Sequence, residues 1–537
     1  YTYVWDNTLT YLKTLGDHNL VGLLGFSIEK YEYDGLSASG SNFPDDEVLT
    51  NLGSAATKNS IASSYNSNTL VSTFARLEYK FKNRYLATFT FRADGSSKFG
   101  PDKRWGYFPS GALAWIISEE NFLKNYSHIV SYLKLRASIG KTGSQNLGNY
   151  DWRTLMGSAT YNDAPGIKPS SLGNDILQWE SQVQKEIGLD YGFWDDRIRG
   201  SIGYYQKKVD NLLYSDPVPY SSSFSSVTQN IGSLKNKGFE FDVKVDIIKN
   251  TQKDLTWDFD FNVARNITTL EKLNSEDEYF GGGAYQYFKI DVGGKTGILY
   301  GYKYGGRLIR TNEELVALKT INPETGQQQY YRDENNYERP GDLYIMDLDG
   351  DGQITADGDR TEIGNANPDF FGGFGTTLYW KGLMVNATFT YSVGADRFYD
   401  EEKSSAGDMN VYNTSKNTLK SWTMNPGVDR GYPRAMYYGW GSNSIITNRY
   451  VHDASFLRLS ALNISYRLPK RLFGSSIVDA IDLTFQATNL FTWTKYPGMD
   501  PQGNFSTSYS AFYNMGIDYS SYPSARTYNV GIKITLK

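Results

Sequence analysis

Long runs of alternating apolar and polar residues constrain the fold of this chain more than any other sequence feature. From Phe239 to Ile247 every second residue is apolar and the residues between are charged, and a similar run ends the chain from Tyr528 to Leu536. A period of two gives a strand one apolar and one polar face. Many runs reach about ten residues, which is the 9–11 that a tilted membrane-spanning strand needs, whereas ordinary strands average about five or six. The pattern therefore predicts membrane-spanning strands.

The connections between these runs alternate in length. About fifteen such segments lie between residues 3 and 537, and short turns such as 16–19 and 381–382 alternate with long connections. The long connections include residues 35–69, 143–181, 271–369 and 398–454. Outer-membrane barrels have short periplasmic turns and long outer loops, whereas a soluble sandwich has no reason to place every long loop on one side. The chain is therefore predicted to be all-β, an antiparallel transmembrane β-barrel of the outer membrane.

Composition excludes several other classes of protein. The chain has no cysteine, which excludes disulfides, thiolate metal sites and cysteine nucleophiles. A net charge of −5 gives no electrostatic reason to expect a nucleic-acid partner. The longest apolar runs fall far short of the ~20 residues of a membrane helix. Catalytic motifs are missing from the sequence. No serine lies in a nucleophile elbow, and His452 is interpreted as a surface residue. The chain is therefore predicted not to be an enzyme, with an outer-membrane hydrolase as the alternative.

Short motifs along nearly the whole chain resemble those of SusC/RagA-type TonB-dependent transporters. They are residues 91–100 (FRADGSSKFG), 135–143 (LRASIGKTG), 236–240 (NKGFE), 363–369 (IGNANPD), 456–459 (FLRL), 489–492 (NLFT) and 496–501 (YPGMDP). The resemblance implies a barrel of about 22 strands, of which this chain would hold about 15, without the N-terminal plug and first strands. Residues 1–537 are then one partial barrel domain, with extracellular loops at 271–369 and 398–454.

The same resemblance implies a function. Proteins of this type actively import oligosaccharides or oligopeptides across the outer membrane of Bacteroidetes-type bacteria, with a SusD-like surface lipoprotein as a lid. Energy coupling would come from TonB–ExbB–ExbD through the missing N-terminal part. The implied contacts are outer-membrane lipid and a glycan or peptide ligand, with no nucleic acid and no cofactor for transport. The last strand runs toward the short-turn side, so we expect extracellular long loops and a periplasmic C-terminus. The alternatives are a passive porin, a surface adhesin and a soluble all-β carbohydrate-binding protein.

An Asp-rich motif in the longest loop predicts a cation site. Carboxylates at relative positions 1, 3 and 5, followed by Gly352, match the front of a calcium loop. Position 12 is Gly358 instead of the usual glutamate, so the next residue is chosen as the closing ligand. The predicted ligands of a structural Ca²⁺ are Asp347, Asp349, Asp351, Gln353 and Asp359. The alternative is an acidic, solvated turn that binds nothing.

Aromatic residues, 15% of the chain, are predicted to serve two purposes. Strand tryptophans are expected in the girdles at the membrane interfaces, where an apolar ring with one wet end fits best. They are Trp105, Trp194, Trp257, Trp380 and Trp493. Loop aromatics are predicted to contact substrate, because flat rings stack on sugars and grip peptide side chains. They are Tyr285, Tyr287, Phe288, Tyr300, Tyr302, Tyr304, Tyr437, Tyr438 and Trp440. Packing of the loops on themselves and contact with a partner protein are the alternatives.

Overall fold

Fifteen long strands follow one another in a single sheet, in their order along the chain. The computed structural model describes the chain except for residues 163, 274–277, 282–287, 319, 322–327, 330–338, 352–353, 408–412, 424–430, 436–442, 444, 473, 475–476, 504–515 and 520. The strands are β1 Thr2–Leu15, β2 His18–Ser41, β3 Thr57–Phe81, β4 Tyr85–Ser96, β5 Trp105–Ile116, β6 Val130–Ser144, β7 Glu180–Phe193, β8 Ile198–Asp210, β9 Ser233–Asn250, β10 Leu255–Lys272, β11 Phe370–Trp380, β12 Leu383–Val393, β13 Phe456–Arg467, β14 Val478–Thr494 and β15 Thr527–Leu536. The predicted all-β fold class and strand number are confirmed.

The two faces of these strands differ as the alternation predicted. In β5 and β6, Leu113 and Ile139 are 66% and 52% exposed on the apolar face. On the polar face, Asp190 of β7 accepts from Arg136 Nε at 3.1 Å and from Lys134 Nζ at 3.3 Å. Apolar side chains therefore stay exposed on one face, while charged side chains pair on the other.

Short turns join the strands tightly at one end. Trp380 of β11 lies opposite Leu383 of β12, so two residues make the turn between them. Their φ angles are +47° at Lys381 and +87° at Gly382. Positive φ at both central residues is the backbone of a hairpin turn whose twist matches that of the strands.

The first long connection is shorter than predicted. The alternation ends near residue 34, but β2 continues to Ser41, which lies opposite Thr57 at the start of β3. Only residues 42–56 connect the two strands, not 35–69. Backbone pairing continues through this serine- and glycine-rich stretch because a ladder of peptide hydrogen bonds needs no apolar side chain.

The other connections contain short elements of their own. The short strands are Leu155–Tyr161, Ala164–Ser171, Leu213–Pro217, Ser226–Asn230, Glu278–Gly281, Phe288–Asp291, Ile298–Tyr302, Tyr304–Leu308, Thr320–Ile321, Gln328–Gln329, Leu343–Ile345, Arg360–Asn365, Asp396–Tyr399, Val451–Asp453 and Ile517–Asp518. The α-helices are α1 Asn312–Ala317, α2 Ala356–Asp359 and α3 Asp400–Glu402. Among the described residues, no helix combines the length and the apolar character needed to cross a membrane.

The chain forms two compact units, each with a buried core. The first comprises residues 1–191, 203–237 and 271–274, and its core is Phe99, Phe108, Leu177 and Trp179. The second comprises residues 192–202, 238–270 and 275–537. Its core, called the loop core below, is Phe288, Leu299, Leu308, Ile309, Leu315, Leu343, Ile345, Ile354, Phe398, Ile446, Tyr450 and Ile517. The long connections of the second unit are therefore folded around a core of their own.

Candidate functional site

Three carboxylates of the Asp-rich motif converge in space. One oxygen from each of Asp347, Asp349 and Asp359 lies within 4.8 Å of the others. The short helix α2 returns the chain to this point, and it begins after Thr355, whose hydroxyl accepts from the Gly358 N–H at 3.0 Å. A side-chain oxygen in this position caps the free N–H groups of a helical turn. The cap thus helps to fix the turn that brings the third carboxylate to the other two.

The Asp359 carboxylate is fully buried and held by backbone N–H groups. Its Oδ1 accepts from Leu348 N at 2.6 Å and its Oδ2 from Thr355 N at 2.7 Å. Burial raises the pKa of Asp359, the two N–H groups oppose this, and the charges of Asp349 and Asp347 raise the pKa further. Three like charges that repel each other across less than 5 Å form an arrangement that a divalent cation would stabilise.

The other two predicted ligands are placed differently. Asp351 is exposed and lies outside the converging group, although its N–H donates to Asp349 Oδ1 at 3.1 Å. Gln353 lies outside the described residues. A Cβ on Gly358 would lie 2.1 Å from Asp349 Oδ2, so a larger residue there would displace the Asp349 carboxylate. Three carboxylate oxygens fit the preference of Ca²⁺ for oxygen ligands, and cation binding stays a prediction.

Three of the four described loop aromatics pack into or onto the loop core. Phe288 is 2% exposed within it, so its ring is enclosed by protein, and Tyr302 and Tyr304 pack against the cluster. The Tyr300 ring lies under the guanidinium of Arg360 at 4.7 Å. Tyr285, Tyr287, Tyr437, Tyr438 and Trp440 lie outside the described residues. Phe288 is therefore a core residue, and contact of the other aromatics with substrate stays a prediction.

A buried ionic cluster that sequence reasoning missed stabilises the loop core. Asp342, 1% exposed, accepts from Arg434 Nε at 2.7 Å and from Asn443 Nδ2 at 2.8 Å. The Asn443 amide oxygen in turn accepts from Leu343 N at 2.9 Å. Burial raises the pKa of Asp342, and the guanidinium opposes that rise. The only sequence signal is the pair of apolar residues, Leu343 and Ile345, that follow Asp342 in a polar loop.

His452, interpreted as a surface residue, is 27% exposed and hydrogen-bonded to its neighbours. Its Nε2 lies 2.6 Å from Glu402 Oε2, and Tyr432 donates to the other carboxylate oxygen at 3.0 Å. Burial and the neighbouring Glu402 charge raise the pKa of Tyr432 to about 12. The group is a hydrogen-bonded contact between distant segments of one loop.

A cavity of about 610 Å³ with a mixed polar and apolar lining lies where β13 begins. Its lining includes Asn489 and Arg526, together with Arg458 and Asp500, which bind each other at 2.6 Å. Arg458 and Asp500 belong to two of the sequence motifs, but nothing in either motif indicates that they meet.

The five strand tryptophans are all exposed, as interface residues would be. Their exposed fractions range from 39% for Trp257 to 53% for Trp194. Trp257 has a polar partner, because its Nε1 donates to Thr376 Oγ1 at 2.7 Å. An exposed ring with a satisfied N–H suits an interface between apolar and wet surroundings.

Comparison with known proteins gives consistent matches along the chain. The family model described as TonB dependent receptor-like, beta-barrel matches residues 1–490. TonB-dependent receptor P3 of Formosa agariphila is 35% identical over 98% of this chain and 52% of that protein. TonB-dependent receptor SusC of Bacteroides thetaiotaomicron is 30% identical over 99% of this chain and 50% of that protein. The structure of the RagAB peptide transporter has a TM-score of 0.81 at 25% identity, over 99% of this chain and 55% of that chain. The chain spans about half the length of these relatives.

Proposed function

This chain belongs to the β-barrel family of TonB-dependent receptors, of the SusC and RagA type, and we propose that the protein containing it actively imports nutrients across the outer membrane. The observation that carries the proposal is a match that runs through nearly the whole chain in sequence and in fold. Fold likeness alone would be a weak reason, because one fold hosts many functions. The family is one of receptors and transporters, not of enzymes.

The two-faced strands support this function physically. Ion pairs line the polar face in both units, for example Arg136 with Asp190 at 3.1 Å and Arg199 with Asp246 at 3.3 Å. Their side chains are 18% to 39% exposed, so they are within reach of water. A hydrated lumen needs such a wall, while lipid requires the opposite face to be apolar.

The cargo is an oligosaccharide or an oligopeptide. RagAB is a peptide transporter, which favours the oligopeptide. A SusD-like surface lipoprotein closes over the outer loops, and TonB–ExbB–ExbD supplies the energy. In this arrangement the long loops are extracellular and the C-terminus is periplasmic.

The test is uptake of fluorescently labelled oligopeptides and oligosaccharides by three strains: wild type, a deletion of this gene and a TonB deletion. We expect uptake of one cargo class to be lost in both deletions. Uptake that persists without TonB would indicate a passive porin. Surface binding without transfer would indicate an adhesin, and extraction without detergent would indicate a soluble protein.

The Asp-rich motif is proposed as a structural Ca²⁺ site within this transporter. Asp347, Asp349 and Asp359 would supply carboxylate oxygens, and the cation would offset their mutual repulsion. Its role would be to order the segment between the strand Leu343–Ile345 and α2, both of which contribute to or adjoin the loop core.

A further inference from the structure

The exposed apolar face of β3 to β6 is not even. Residues directly opposite each other across these strands form rows, because antiparallel partners share a face. One row is Leu77, Phe89, Gly111 and Ile139. The next row is Tyr79, Ala87, Leu113 and Ala137. Large and small side chains alternate in the second row, and Gly111 interrupts the large side chains of the first row. The small residues leave a depression in the surface.

This depression is an apolar groove of about 510 Å³. Phe89, Leu113 and Ile139 form its sides and are 54%, 66% and 52% exposed. None of the described residues that line it carries a charge. A Cβ on Gly111 would meet only the Thr88 carbonyl oxygen, at 3.9 Å, so the space above this glycine is open. The groove is thus shaped and lined for an apolar chain.

A belt of aromatic rings borders the groove at the turn ends of the strands. The ring centroids are 4.7 Å apart for His18 and Phe81, 6.3 Å for Phe81 and Tyr85, and 6.5 Å for Tyr85 and Trp115. Aromatic belts mark the headgroup level of a membrane. Ala87 lies two residues along β4 from Tyr85, which is about 7 Å deeper in the apolar region. The groove therefore continues the belt into the zone of lipid chains.

A cation lies just beyond the belt. Lys82 directly follows Phe81, and its Nζ is 5.3 Å from the centroid of that ring. Its side chain is 48% exposed, and its contact with Asp17 is long, at 3.9 Å. An exposed pair at this distance contributes little, so the ammonium group remains available to an anion.

We propose that this groove binds an acyl chain of a membrane glycerophospholipid whose phosphate lies near Lys82. The proposal rests on the membrane location given under the proposed function. The order of features along the protein surface matches the order of parts in the phospholipid. Lys82 lies near the phosphate, the aromatic rings lie at the headgroup level, and the uncharged groove receives the acyl chain. A second copy of the chain in the groove would not place a phosphate near Lys82. The experiments below therefore distinguish a lipid from a second copy.

Native mass spectrometry of the intact protein tests the proposal, with palmitoyl-oleoyl phosphatidylglycerol added to delipidated samples. Gly111→Leu fills the groove and is expected to weaken lipid binding roughly tenfold. This is the loss when about two methylene groups of the acyl chain are no longer buried. Gly22→Leu is the matched control, because Gly22 lies opposite Leu77 in the same row but outside the groove. A Cβ there would meet nothing within 4 Å, so neither variant forces the backbone.

Lys82→Gln tests the headgroup separately. It is expected to weaken phosphatidylglycerol binding and to leave binding of the matching diacylglycerol, which lacks the phosphate, unchanged. Equal effects on both lipids would overturn the role of Lys82.

Three results would overturn the assignment of the groove as a lipid site. They are undiminished lipid binding by Gly111→Leu, an equal loss of lipid binding in Gly22→Leu, or a change of oligomeric state in Gly111→Leu. The last result would assign the groove to a second copy of the chain. Heat-modifiable gel mobility of the wild type reports membrane-barrel formation independently. Failure of the proposed function is therefore distinguishable from failure of this site.

Discussion

Arg458 donates from Nη2 to Oδ1 of Asp500 at 2.6 Å, and the two side chains are 6% and 7% exposed. The same guanidinium donates to Thr492 at 2.9 Å and to Gln502 at 2.6 Å. Arg458 lies at the start of β13 and Asp500 lies beyond the end of β14. The pair therefore attaches the last long connection to a strand of the sheet.

Arg458→Ala should destabilise this attachment strongly. The substitution leaves the Asp500 carboxylate buried without its partner, and such losses cost about 3–5 kcal/mol. Denaturant unfolding in detergent measures the change. Lys470→Ala is the control, because its pair with Asp479 is 70% and 46% exposed and should contribute little to stability. Equal effects of the two substitutions would contradict the prediction.

The pair of Arg458 and Asp500 should make the stability of the protein depend on pH in the acidic range. Burial would raise the pKa of Asp500, but N–H groups of Gln502 and Ser524 and the Arg458 guanidinium outweigh it and hold the pKa below its usual value. A lowered folded-state pKa contributes stability that is present above the unfolded value of about 3.9 and is lost as the pH falls through the folded value. Melting temperatures should fall more steeply below about pH 4 in wild type than in Asp500→Asn. Parallel curves would refute this.

Arg434→Ala should open the loop core. It leaves the Asp342 charge buried, and we expect a loss of about 3–5 kcal/mol. Asp342→Asn combined with Arg434→Ala should cost less than Arg434→Ala alone, because no charge is then buried. Hydrogen exchange of the strand Leu343–Ile345 reports the opening. If the double variant exchanged as fast as Arg434→Ala alone, the unpaired Asp342 charge would not be the cause of the opening.

Calcium should raise the melting temperature of the protein, and a chelator should lower it. Binding to the folded state stabilises by about 2.7 kcal/mol at a hundredfold excess over the dissociation constant. Asp359→Asn should abolish the effect of calcium on the melting temperature. Asp351→Asn should reduce that effect less, because Asp359 belongs to the converging group and Asp351 does not. Asp357→Asn, exposed within the same motif, is the control. Identical melting with calcium and with chelator would argue against the site.

Trp179→Ala should destabilise the first unit. Trp179 is 9% exposed, its ring lies 5.0 Å from that of Phe99, and its Nε1 donates to the Arg104 carbonyl at 3.0 Å. Removing a buried tryptophan costs about 3–5 kcal/mol. Trp493→Ala, at a site 52% exposed, should leave unfolding in detergent almost unchanged. A similar loss for both tryptophans would contradict this division between core and interface rings.

The candidate cation site was predictable in part. The motif spacing grouped Asp347, Asp349 and Asp359 as ligands, and in the structure α2 brings the third carboxylate to the other two. Cation binding by this group stays a prediction. Asp351 fits the same spacing but is exposed. Spacing describes where residues lie along the chain, whereas convergence depends on how the turn folds in three dimensions.

Most strands could be predicted from residue order, apart from the extensions of β2 and β3. A two-faced strand is a local property, readable from residues two apart, so the alternation from Phe239 onward predicted β9 without any knowledge of its partners. Which loop residues are buried could not be predicted in this way, because it depends on contacts between distant segments. Phe288 was predicted to contact ligand, yet it lies in the loop core, and Asp342 meets Arg434 across 92 positions of sequence. Loop residues carry no periodicity, so only contacts between distant segments decide which of them face water and which form a core.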